Sequence, residues 1–339
     1  MMHKKTEYIS LAHGNGGRLM QELITETISS CLADVLMDIE NDATTLPFDQ
    51  PDKKIMMTTD GFTVNPLEFP GGDIGSLAIH GTVNDLAVSA ATPAYLSVSL
   101  FIEEGLQLAK LKRLLTSMAA AAREANIKIA CGDTKVVPRG QGSELYISTT
   151  GIGYRDPEHE LLMENIQDGD AILISGPVGN HGVAVMLARE QYGLKGNLKS
   201  DSANVLPLTQ ALLALPGLRY MRDPTRGGLV TVLHEIRQKT NLGIRINADR
   251  LPVEEPVMAV CEMLGYDPLY LACEGRVVVI VDPKQAEQAL ATWHQHPQGK
   301  QAALIGHISK TETHLVLETS LGGERILEEL EDDPLPRIC

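Results

Sequence analysis

Four aspartates lie where apolar runs of the sequence end or turn. They occur in the stretches TTDGF, TVNDLAV, CGDTKVV and MRDPTRGG, and they are Asp60, Asp85, Asp133 and Asp223. Carboxylates at strand ends and loops can converge on a hard cation, and Mg²⁺ prefers such oxygens and completes its shell with water and phosphate. A single aspartate in such a context is more often a helix cap or a turn residue. Together, the four predict a metal site that binds a nucleotide.

The stretch CGDTKVV places two further polar groups directly after Asp133. It follows the apolar run IKIA (127 to 130), which predicts a strand that stops at CGD. Thr134 would then supply a hydroxyl and Lys135 an ammonium group to the same short turn. A carboxylate, a hydroxyl and a lysine in one turn are suited to holding a metal ion and phosphate. These three residues therefore form one candidate site.

Two glycine-rich stretches each precede a predicted helix. They are AHGNGGR (12 to 18), which contains Gly14, Asn15, Gly16 and Gly17, and SGPVGNHG (175 to 182). Backbone N–H groups and a helix N-terminus could bind phosphate there, although tight turns that need positive φ are the better explanation of each stretch taken alone. The sequence contains neither GxxxxGK[ST] nor GxGxxG, which disfavours a P-loop enzyme and a Rossmann dinucleotide site.

Glu274 lies in LACEGRVVVIV, directly before a run of branched apolar residues. A carboxylate withdrawn from water at the start of a buried strand could act as a general base, whereas a solvated glutamate is the commoner case. The ten histidines form no HExxH motif and no close pair with a cysteine. A permanent zinc or iron site is therefore not supported.

The sequence contains five cysteines. Four of them lie beside apolar residues, which suits a small buried side chain, and these are Cys31, Cys131, Cys261 and Cys273. Cys339 is the exception. No CxxC pair occurs, so the pattern indicates free thiols rather than disulfides or a zinc knuckle. Gly322 and Gly323, which permit a hinge, come before an acidic stretch, PLPRI and Cys339, a composition typical of an extended tether. A tether of this length could span on the order of 55 Å. A frayed terminus with an incidental thiol is the alternative.

Strand-like and helix-like runs alternate around these residues, which predicts an α/β or α+β fold in both halves. Proline and charge replace periodicity in RDPEHE (155 to 160), so we place a boundary there. The expected units are 1–154, 161–319 and a flexible tail, 320–339. The predicted strands are 55–59, 127–130, 146–154, 171–175, 244–246, 277–281 and two near LIGHI and HLVLE; the predicted helices are 75–91, 108–125, 183–190, 228–239 and 285–294.

Net charge and hydropathy reduce the number of functional classes to which the protein could belong. The 339 residues carry a formal net charge of −15, which opposes binding to nucleic acid or to anionic lipid. The first ten residues contain no apolar segment typical of an export signal, and no apolar run is long enough to cross a membrane. These observations predict a cytoplasmic protein that acts on neither nucleic acid nor membranes.

Taken together, the motifs resemble one family from end to end. The stretches HGNGG, TTDGF, FPGGDIG, GTVNDLAVSAA, GDTKVV, SGPVGNHG, RDPTRGG, CEG and PLPRIC are similar to those of the HypE family of hydrogenase maturation proteins, the carbamoyl dehydratases. Several of these motifs also resemble aminoimidazole ribonucleotide synthetase, thiamine-phosphate kinase and selenophosphate synthetase. The ending PRIC narrows the resemblance to HypE.

The resemblance implies a two-domain aminoimidazole ribonucleotide synthetase-like fold. Two chains would pair through N-terminal domains whose strands combine into a barrel, and ATP would bind in the cleft between the two domains. The carbamoyltransferase HypF would load a carbamoyl group onto Cys339. The protein would dehydrate this thiocarboxamide to a thiocyanate, and the cyano group would pass to iron held by HypC and HypD for [NiFe]-hydrogenase.

This reaction assigns roles to the candidate residues. Removal of oxygen from an amide requires a better leaving group, which phosphorylation by ATP supplies with Mg²⁺ bound by some of the four aspartates. Lys135 would hold the phosphoryl group or polarise the amide, Glu274 would accept protons, and Cys339 would carry the substrate. The remaining expected nucleotide contacts are Gly14, Asn15, Gly16, Gly17, Asn84 and Thr134.

Two other functional classes stay open on the residues alone. A selenophosphate synthetase or another small-molecule kinase could use the same scaffold. A selenophosphate synthetase would be expected to have a reactive cysteine near HGNGG, whereas the first cysteine of this sequence, Cys31, comes well after that stretch. A non-catalytic carrier could instead move an acyl or metal cargo on the tail thiol. A prenyl anchor is excluded, because prenylation requires a cysteine four residues from the end.

Overall fold

The computed structural model describes residues 7–15, 17–37, 44, 46–47, 49–189 and 196–330. The N-terminal half contains these elements: α1 (Arg18–Glu22), which continues as a π-helix (Leu23–Ser29), α2 (Ser30–Leu32), β1 (Lys54–Phe62), β2 (Glu68–Phe69), β3 (Gly72–Asp73), α3 (Ile74–Val88), β4 (Thr92–Glu103), α4 (Leu108–Glu124), β5 (Lys128–Val137) and β6 (Leu145–Arg155). A 3₁₀ turn (Leu11–Gly14) precedes α1.

The C-terminal half continues the alternation of strands and helices. Its elements are β7 (Ala171–Ile174), α5 (Asn180–Ala188), α6 (Leu206–Gln210), β8 (Leu218–Arg222), α7 (Gly228–Thr240), β9 (Gly243–Asn247), α8 (Glu255–Leu264), β10 (Val278–Val281), α9 (Ala286–His294), β11 (Ala303–Ser309), β12 (Leu315–Glu318) and β13 (Glu324–Ile326). The helices and strands predicted from periodicity are confirmed, with ends that differ by a few residues, except that the strand predicted at 127–130 extends to Val137. No helix in the described ranges is long and apolar enough to cross a membrane.

The N-terminal sheet has the order β1-β6-β4-β5, with β4 and β5 parallel and the other pairs antiparallel. Buried and accessible side chains alternate along β4 and β6, so only one face of the sheet is covered. Helix α3 packs on that covered face beside α4, and α3 is buried almost all round because the C-terminal domain lies on its other side. We call the opposite, accessible face of the sheet the open face.

The C-terminal sheet has seven strands in the order β13-β12-β9-β11-β7-β10-β8. Strands β7 and β10 are buried at every position, as expected for central strands covered on both faces. One apolar cluster joins Ala87 and Val88 of α3 to Leu173, Val205 and Val279 of this domain. The two domains therefore share a packed apolar junction along α3.

The start of the predicted tail is ordered, so the prediction of a flexible segment from residue 320 is wrong for its first part. β13 pairs with β12 as a hairpin, and Gly322, with φ of +77°, is the left-handed residue of the turn rather than a hinge. Leu327 is buried, and its carbonyl accepts a hydrogen bond of 2.9 Å from Nε2 of His234. The carbonyl of Glu328 also accepts a hydrogen bond of 2.8 Å from the hydroxyl of Tyr270, so any tether begins beyond Glu328.

Candidate active site

Three of the four predicted aspartates meet on the covered side of the N-terminal sheet. Asp60 lies on β1, Asp85 on α3 and Asp223 directly after β8. Thr58 of β1 donates a hydrogen bond of 2.8 Å to Oδ2 of Asp85. A Cβ atom on Gly81 would lie 3.6 Å from Oδ2 of Asp60, so a small residue on α3 leaves room for this carboxylate. We call Asp60, Asp85 and Asp223 the carboxylate cluster.

The three carboxylates of the cluster repel one another. Burial raises the pKa of Asp60 and of Asp85, and the charge of Asp60 raises the pKa of Asp85 further. Burial and the Asp85 carboxylate raise the pKa of Asp223 to about 7. Arg222 and Arg226 act in the opposite direction on Asp223 and Asp60 respectively. A divalent cation would relieve this repulsion, so the donor set suits one.

The described residues do not form a metal site that is complete by itself. Within the described ranges, no group of three His, Cys, Asp or Glu side chains is arranged to hold a metal ion. Mg²⁺ usually takes only one or two protein carboxylates and obtains its other ligands from water and phosphate. The carboxylate cluster fits that partial role, and the Mg²⁺ that it would hold would supply positive charge next to a bound phosphate.

Asp133 does not belong to the cluster, which corrects the prediction of a four-aspartate metal site. The predicted turn at CGDTK is wrong as well, because β5 continues to Val137 and keeps these residues extended. Asp133 and Lys135 are exposed and lie level with Ser99 and Phe101 of β4 on the open face. The carboxylate cluster lies on the opposite side of the same sheet.

Thr134 alternates with these two residues and therefore points to the covered face, where it is buried. It cannot act together with Asp133 and Lys135 on one ligand. The prediction that all three contact one nucleotide is therefore wrong for Thr134.

Asn84 is also not a nucleotide ligand in this structure. It is 2% exposed, and both amide hydrogens are used, at 3.0 Å to the carbonyl of Ala203 and 3.1 Å to that of Glu274. Its oxygen accepts the N–H of Val205 at 2.9 Å. The side chain joins α3 to the C-terminal domain, so the prediction of cofactor binding by Asn84 is wrong.

Glu274 is brought close to the carboxylate cluster by its backbone. The N–H of Cys273 donates to the carbonyl of Pro224 at 3.0 Å, which places Glu274 beside the loop that begins with Asp223. Glu274 is 6% exposed. Glu274 is therefore a buried carboxylate on a segment beside the candidate phosphate site, which makes it a candidate general base.

The two glycine-rich stretches differ in their surroundings. A Cβ atom on Gly14 would lie 2.8 Å from Cβ of Val136, so Gly14 allows its turn to pack against β5 next to Lys135. Asn15 accepts the N–H of Gly17 at 3.0 Å in the turn before α1. Gly16 lies outside the described residues. This stretch remains a candidate for contact with a ligand near Lys135.

The second stretch, 175–182, is closed to ligands in its central part. The N–H groups of Val178, Gly179, His181 and Gly182 are hydrogen bonded to protein acceptors, with His181 donating to the buried carboxylate of Asp201 at 3.0 Å. Donors that are already used cannot bind phosphate. The preferred interpretation of this stretch as a tight turn is confirmed, because Gly179 has a φ of +81° and the turn serves packing.

The cysteines within the described residues suit structural roles. Cys31 and Cys131 are free and half-buried, and burial raises the pKa of Cys261 to about 11. Burial also raises the pKa of Cys273, which accepts an N–H from Gly179. Cys339 lies outside the described residues, so its predicted role is not tested by the geometry.

Some functional residues were missed by the sequence reasoning. Arg222 and Arg226 flank Asp223 in MRDPTRGG and could have been predicted to act on its charge. Asp201 could not have been predicted, because the stretch DSAN matches no motif with a chemical role. Only the fold brings its carboxylate to the N–H of Gly275 and to Arg276.

Comparison with protein families accounts for both halves of the chain. The AIR synthase related protein, N-terminal domain, matches residues 40–154, and the AIR synthase related protein, C-terminal domain, matches residues 167–317. The carbamoyl dehydratase HypE of Azotobacter vinelandii is 44% identical over 333 residues, which cover 98% of this chain and 97% of the relative. The chain belongs to the HypE family of carbamoyl dehydratases. The HypE of Escherichia coli K12 is 43% identical over 98% of this chain and 99% of its own length.

Solved HypE structures share the whole architecture. The crystal structure of E. coli HypE superimposes with a TM-score of 0.89 at 43% identity, and covers 94% of this chain and 100% of its own. A HypE crystallised in complex with ATP gives a TM-score of 0.88 at 41% identity over 97% and 99% of the two chains. A HypE–HypF complex gives a TM-score of 0.79 at 40% identity over 93% of this chain and 100% of that chain. The predicted two-domain, aminoimidazole ribonucleotide synthetase-like fold is confirmed.

Proposed function

We propose that this carbamoyl dehydratase uses ATP to convert a thiocarboxamide on Cys339 into a thiocyanate at the junction of its two domains. The observation that carries the proposal is the meeting of the carboxylate cluster with buried Glu274 along α3. One side of this junction is suited to a metal–phosphate complex and the other to a base. ATP is the proposed substrate because a close relative was crystallised with it.

In the first step, the carbonyl oxygen of the thiocarboxamide attacks the γ-phosphorus of ATP. A new oxygen–phosphorus bond forms, the bond to the bridging oxygen of ADP breaks, and one of the two protons of the amide nitrogen moves to an oxygen of the transferred phosphoryl group. The carboxylate cluster would hold Mg²⁺ together with the phosphates, and the ion would neutralise charge that develops on them. Lys135 would bind the transferred phosphoryl group.

In the second step, the carbon–oxygen bond breaks and phosphate leaves with the bonding electrons. The remaining proton on nitrogen passes to Glu274, and a carbon–nitrogen triple bond forms. Burial of Glu274 keeps water away from the activated group, which would otherwise be hydrolysed back to the thiocarboxamide. The products are ADP, phosphate and the thiocyanate on Cys339.

The proposal also requires a homodimer. Ile55 and Met57, which are 58% and 70% exposed, form a small apolar patch on the open face along the edge strand β1. Such a patch is typical of a protein interface. Asp133 and Lys135 lie on the same face but on the other edge strand, β5, so we propose that dimerisation brings them beside the partner's edge strand β1, where they act on the nucleotide bound by the partner protomer.

The route of the tail supports delivery of Cys339 to this junction. Leu330, the last described residue, lies with its Cδ1 3.4 Å from the position of a Cβ atom on Gly227. Gly227 belongs to the loop that carries Asp223 and Arg226. The nine steps from Leu330 to Cys339 can span about 30 Å when extended. The segment that carries Cys339 therefore begins beside the proposed site.

The remaining roles follow from the family. HypF is the proposed carbamoyl donor, since a HypE was crystallised with it. HypC and HypD, with iron, are the proposed acceptor of the cyano group, as the resemblance implies. The cytoplasmic location stays a prediction from the sequence.

The test follows the mass of the tail peptide in protein that HypF has carbamoylated. Glu274→Gln and Lys135→Ala should still become carbamoylated, but after addition of ATP their loss of one water from the peptide should be at least about 100-fold slower. Glu262→Gln and Lys300→Ala, which change exposed residues, are the matched controls. Dehydration at the normal rate in Glu274→Gln or Lys135→Ala would remove that residue from the mechanism.

A further inference from the structure

Asn84 connects the two sides of the proposed site. Its neighbour on α3, Asp85, belongs to the carboxylate cluster, whereas the Asn84 side chain bonds only to backbone of the C-terminal domain. The amide donates to the carbonyls of Ala203 and Glu274 at 3.0 and 3.1 Å and accepts from Val205 at 2.9 Å. One helical turn therefore fixes a cluster carboxylate and the backbone of Glu274 relative to each other.

The segment after Glu274 is held from a second direction. The fully buried carboxylate of Asp201 accepts the N–H of Gly275 at 3.3 Å and lies 3.4 Å from Nε of Arg276. A Cβ atom on Gly275 would collide with the carbonyl oxygen of Asp201, so only glycine permits this close approach. Asp201 therefore holds this segment within the C-terminal domain, whereas Asn84 holds it against α3.

We infer that Asn84 is a positioning residue for the dehydration: it holds Glu274 at a fixed distance from the carboxylate cluster across the domain junction. The inference rests on the proposed function, because it takes Glu274 as the base. It assigns no contact between Asn84 and the nucleotide.

Only an uncharged amide meets all three requirements at this position. Two carbonyl oxygens require two donors, and the N–H of Val205 requires an acceptor. An aspartate would keep the acceptor but place a negative charge against two carbonyls, and an alanine would remove a hydrogen-bond partner from all three backbone groups. A base displaced by about 1 Å can cost on the order of 100-fold in rate.

The test measures single-turnover dehydration of the carbamoylated, full-length protein. Asn84→Ala and Asn84→Asp should lower the rate constant at saturating ATP about tenfold or more. The ATP concentration for half-maximal rate and the rate of carbamoylation by HypF should change by less than about twofold. A wild-type rate constant in Asn84→Ala would overturn the inference, as would a loss confined to ATP affinity.

Ser202→Ala is the matched control for the interface itself. It removes the contact of 3.2 Å between Nδ1 of His80 and Oγ of Ser202, one turn earlier on α3 and across the same junction. This variant should dehydrate within about twofold of the wild-type rate. If Ser202→Ala and Asn84→Ala lose the same activity, domain contact alone explains the loss and the inference is overturned.

The double variant Asn84→Ala/Glu274→Gln separates this inference from the proposed function. If Asn84 acts through Glu274, the double variant should be no slower than Glu274→Gln alone. A further loss of about tenfold would show an independent role and overturn the inference. If Glu274→Gln itself dehydrates normally, the proposed base is wrong; if it is inactive while Asn84→Ala is fully active, only the positioning role is wrong.

Discussion

Thr58 donates its hydroxyl to Oδ2 of Asp85 at 2.8 Å, and this bond joins the central part of β1 to the second half of α3. The bond lies inside the domain and fixes the rotamer of a carboxylate whose pKa is raised by burial and by Asp60. β1 and α3 thereby orient the carboxylate of Asp85 toward the loop that contains Asp223. The local fold of the N-terminal domain thus sets one half of the proposed site.

Removal of the Thr58 hydroxyl should slow the dehydration that depends on the metal–nucleotide complex. Thr58→Val keeps the shape of the side chain but loses the hydroxyl, so Asp85 would lose its fixed orientation, and ATP-dependent dehydration should fall about tenfold. Thr58→Ser, which keeps the donor, should stay within about threefold of wild type. Equal activities of the Val and Ser variants in single-turnover assays would show that the bond has no role in catalysis.

The placement of Lys135 on the open face predicts complementation between two inactive variants. If Lys135 acts on the partner's site, a mixed dimer of Lys135→Ala and Glu274→Gln chains contains one site with both residues intact. Unfolded and refolded together in equal amounts, the two variants should recover about a quarter of wild-type activity, since half of the dimers are mixed.

The same experiment has a clear negative result. If both residues serve the site of their own chain, every site in the mixed dimer lacks one of them, and refolding together should restore nothing. Each variant refolded alone is the control, and mass spectrometry of the intact dimers measures the mixed fraction.

The apolar patch on the open face predicts that dimerisation depends on Met57. Met57→Glu places a charge in the proposed interface and should shift the protein from dimer to monomer in light scattering, with a dissociation constant raised at least about 100-fold. Leu321→Glu, at a residue 98% exposed in the β12–β13 turn, is the control and should not change the mass. A Met57→Glu protein that remains dimeric at micromolar concentration would contradict this use of the face.

Buried His181 predicts a loss of stability in mild acid. Burial lowers the pKa of His181 to about 3, and its ring contacts Ser200. The unfolded chain binds a proton near pH 6.5, so between 6.5 and about 3 the unfolded state holds more protons and stability falls as pH falls. This residue alone should cost about 2 kcal/mol at about pH 5.

The measurement compares denaturant unfolding at about pH 7 and about pH 5. His181→Gln should be less stable at neutral pH but should show a smaller loss between the two values, whereas the exposed control His314→Gln should keep the wild-type dependence. An unchanged pH dependence in His181→Gln would show that this ring does not control acid stability.

Much of the architecture could be predicted from local pattern, because the apolar stripe of α4 and the branched run that forms β10 depend only on nearby residues. Asp60, Asp85 and Asp223 could be proposed as partners because each follows or interrupts an apolar run. Their convergence on one side of the sheet depended on topology, which a single sequence does not encode locally.

The errors came from features that only register and tertiary contact determine. CGDTK contains turn-forming residues, but pairing with β4 extends β5 through them and separates Asp133 from the cluster. The polar side chain of Asn84 suggested a ligand contact until its three backbone partners were known. Gly322 was expected to form a hinge, whereas the pairing of β12 with β13 uses it in a hairpin turn.

The central claim is that the oxygen of the thiocarboxamide leaves as phosphate, and oxygen-18 tests it most directly. The full-length protein is carbamoylated on Cys339 from a donor labelled with oxygen-18 and is then treated with unlabelled ATP in unlabelled water. The mechanism predicts one labelled oxygen in each inorganic phosphate released, in step with the loss of one water from the tail peptide. Unlabelled phosphate with the label recovered in bulk water would contradict it.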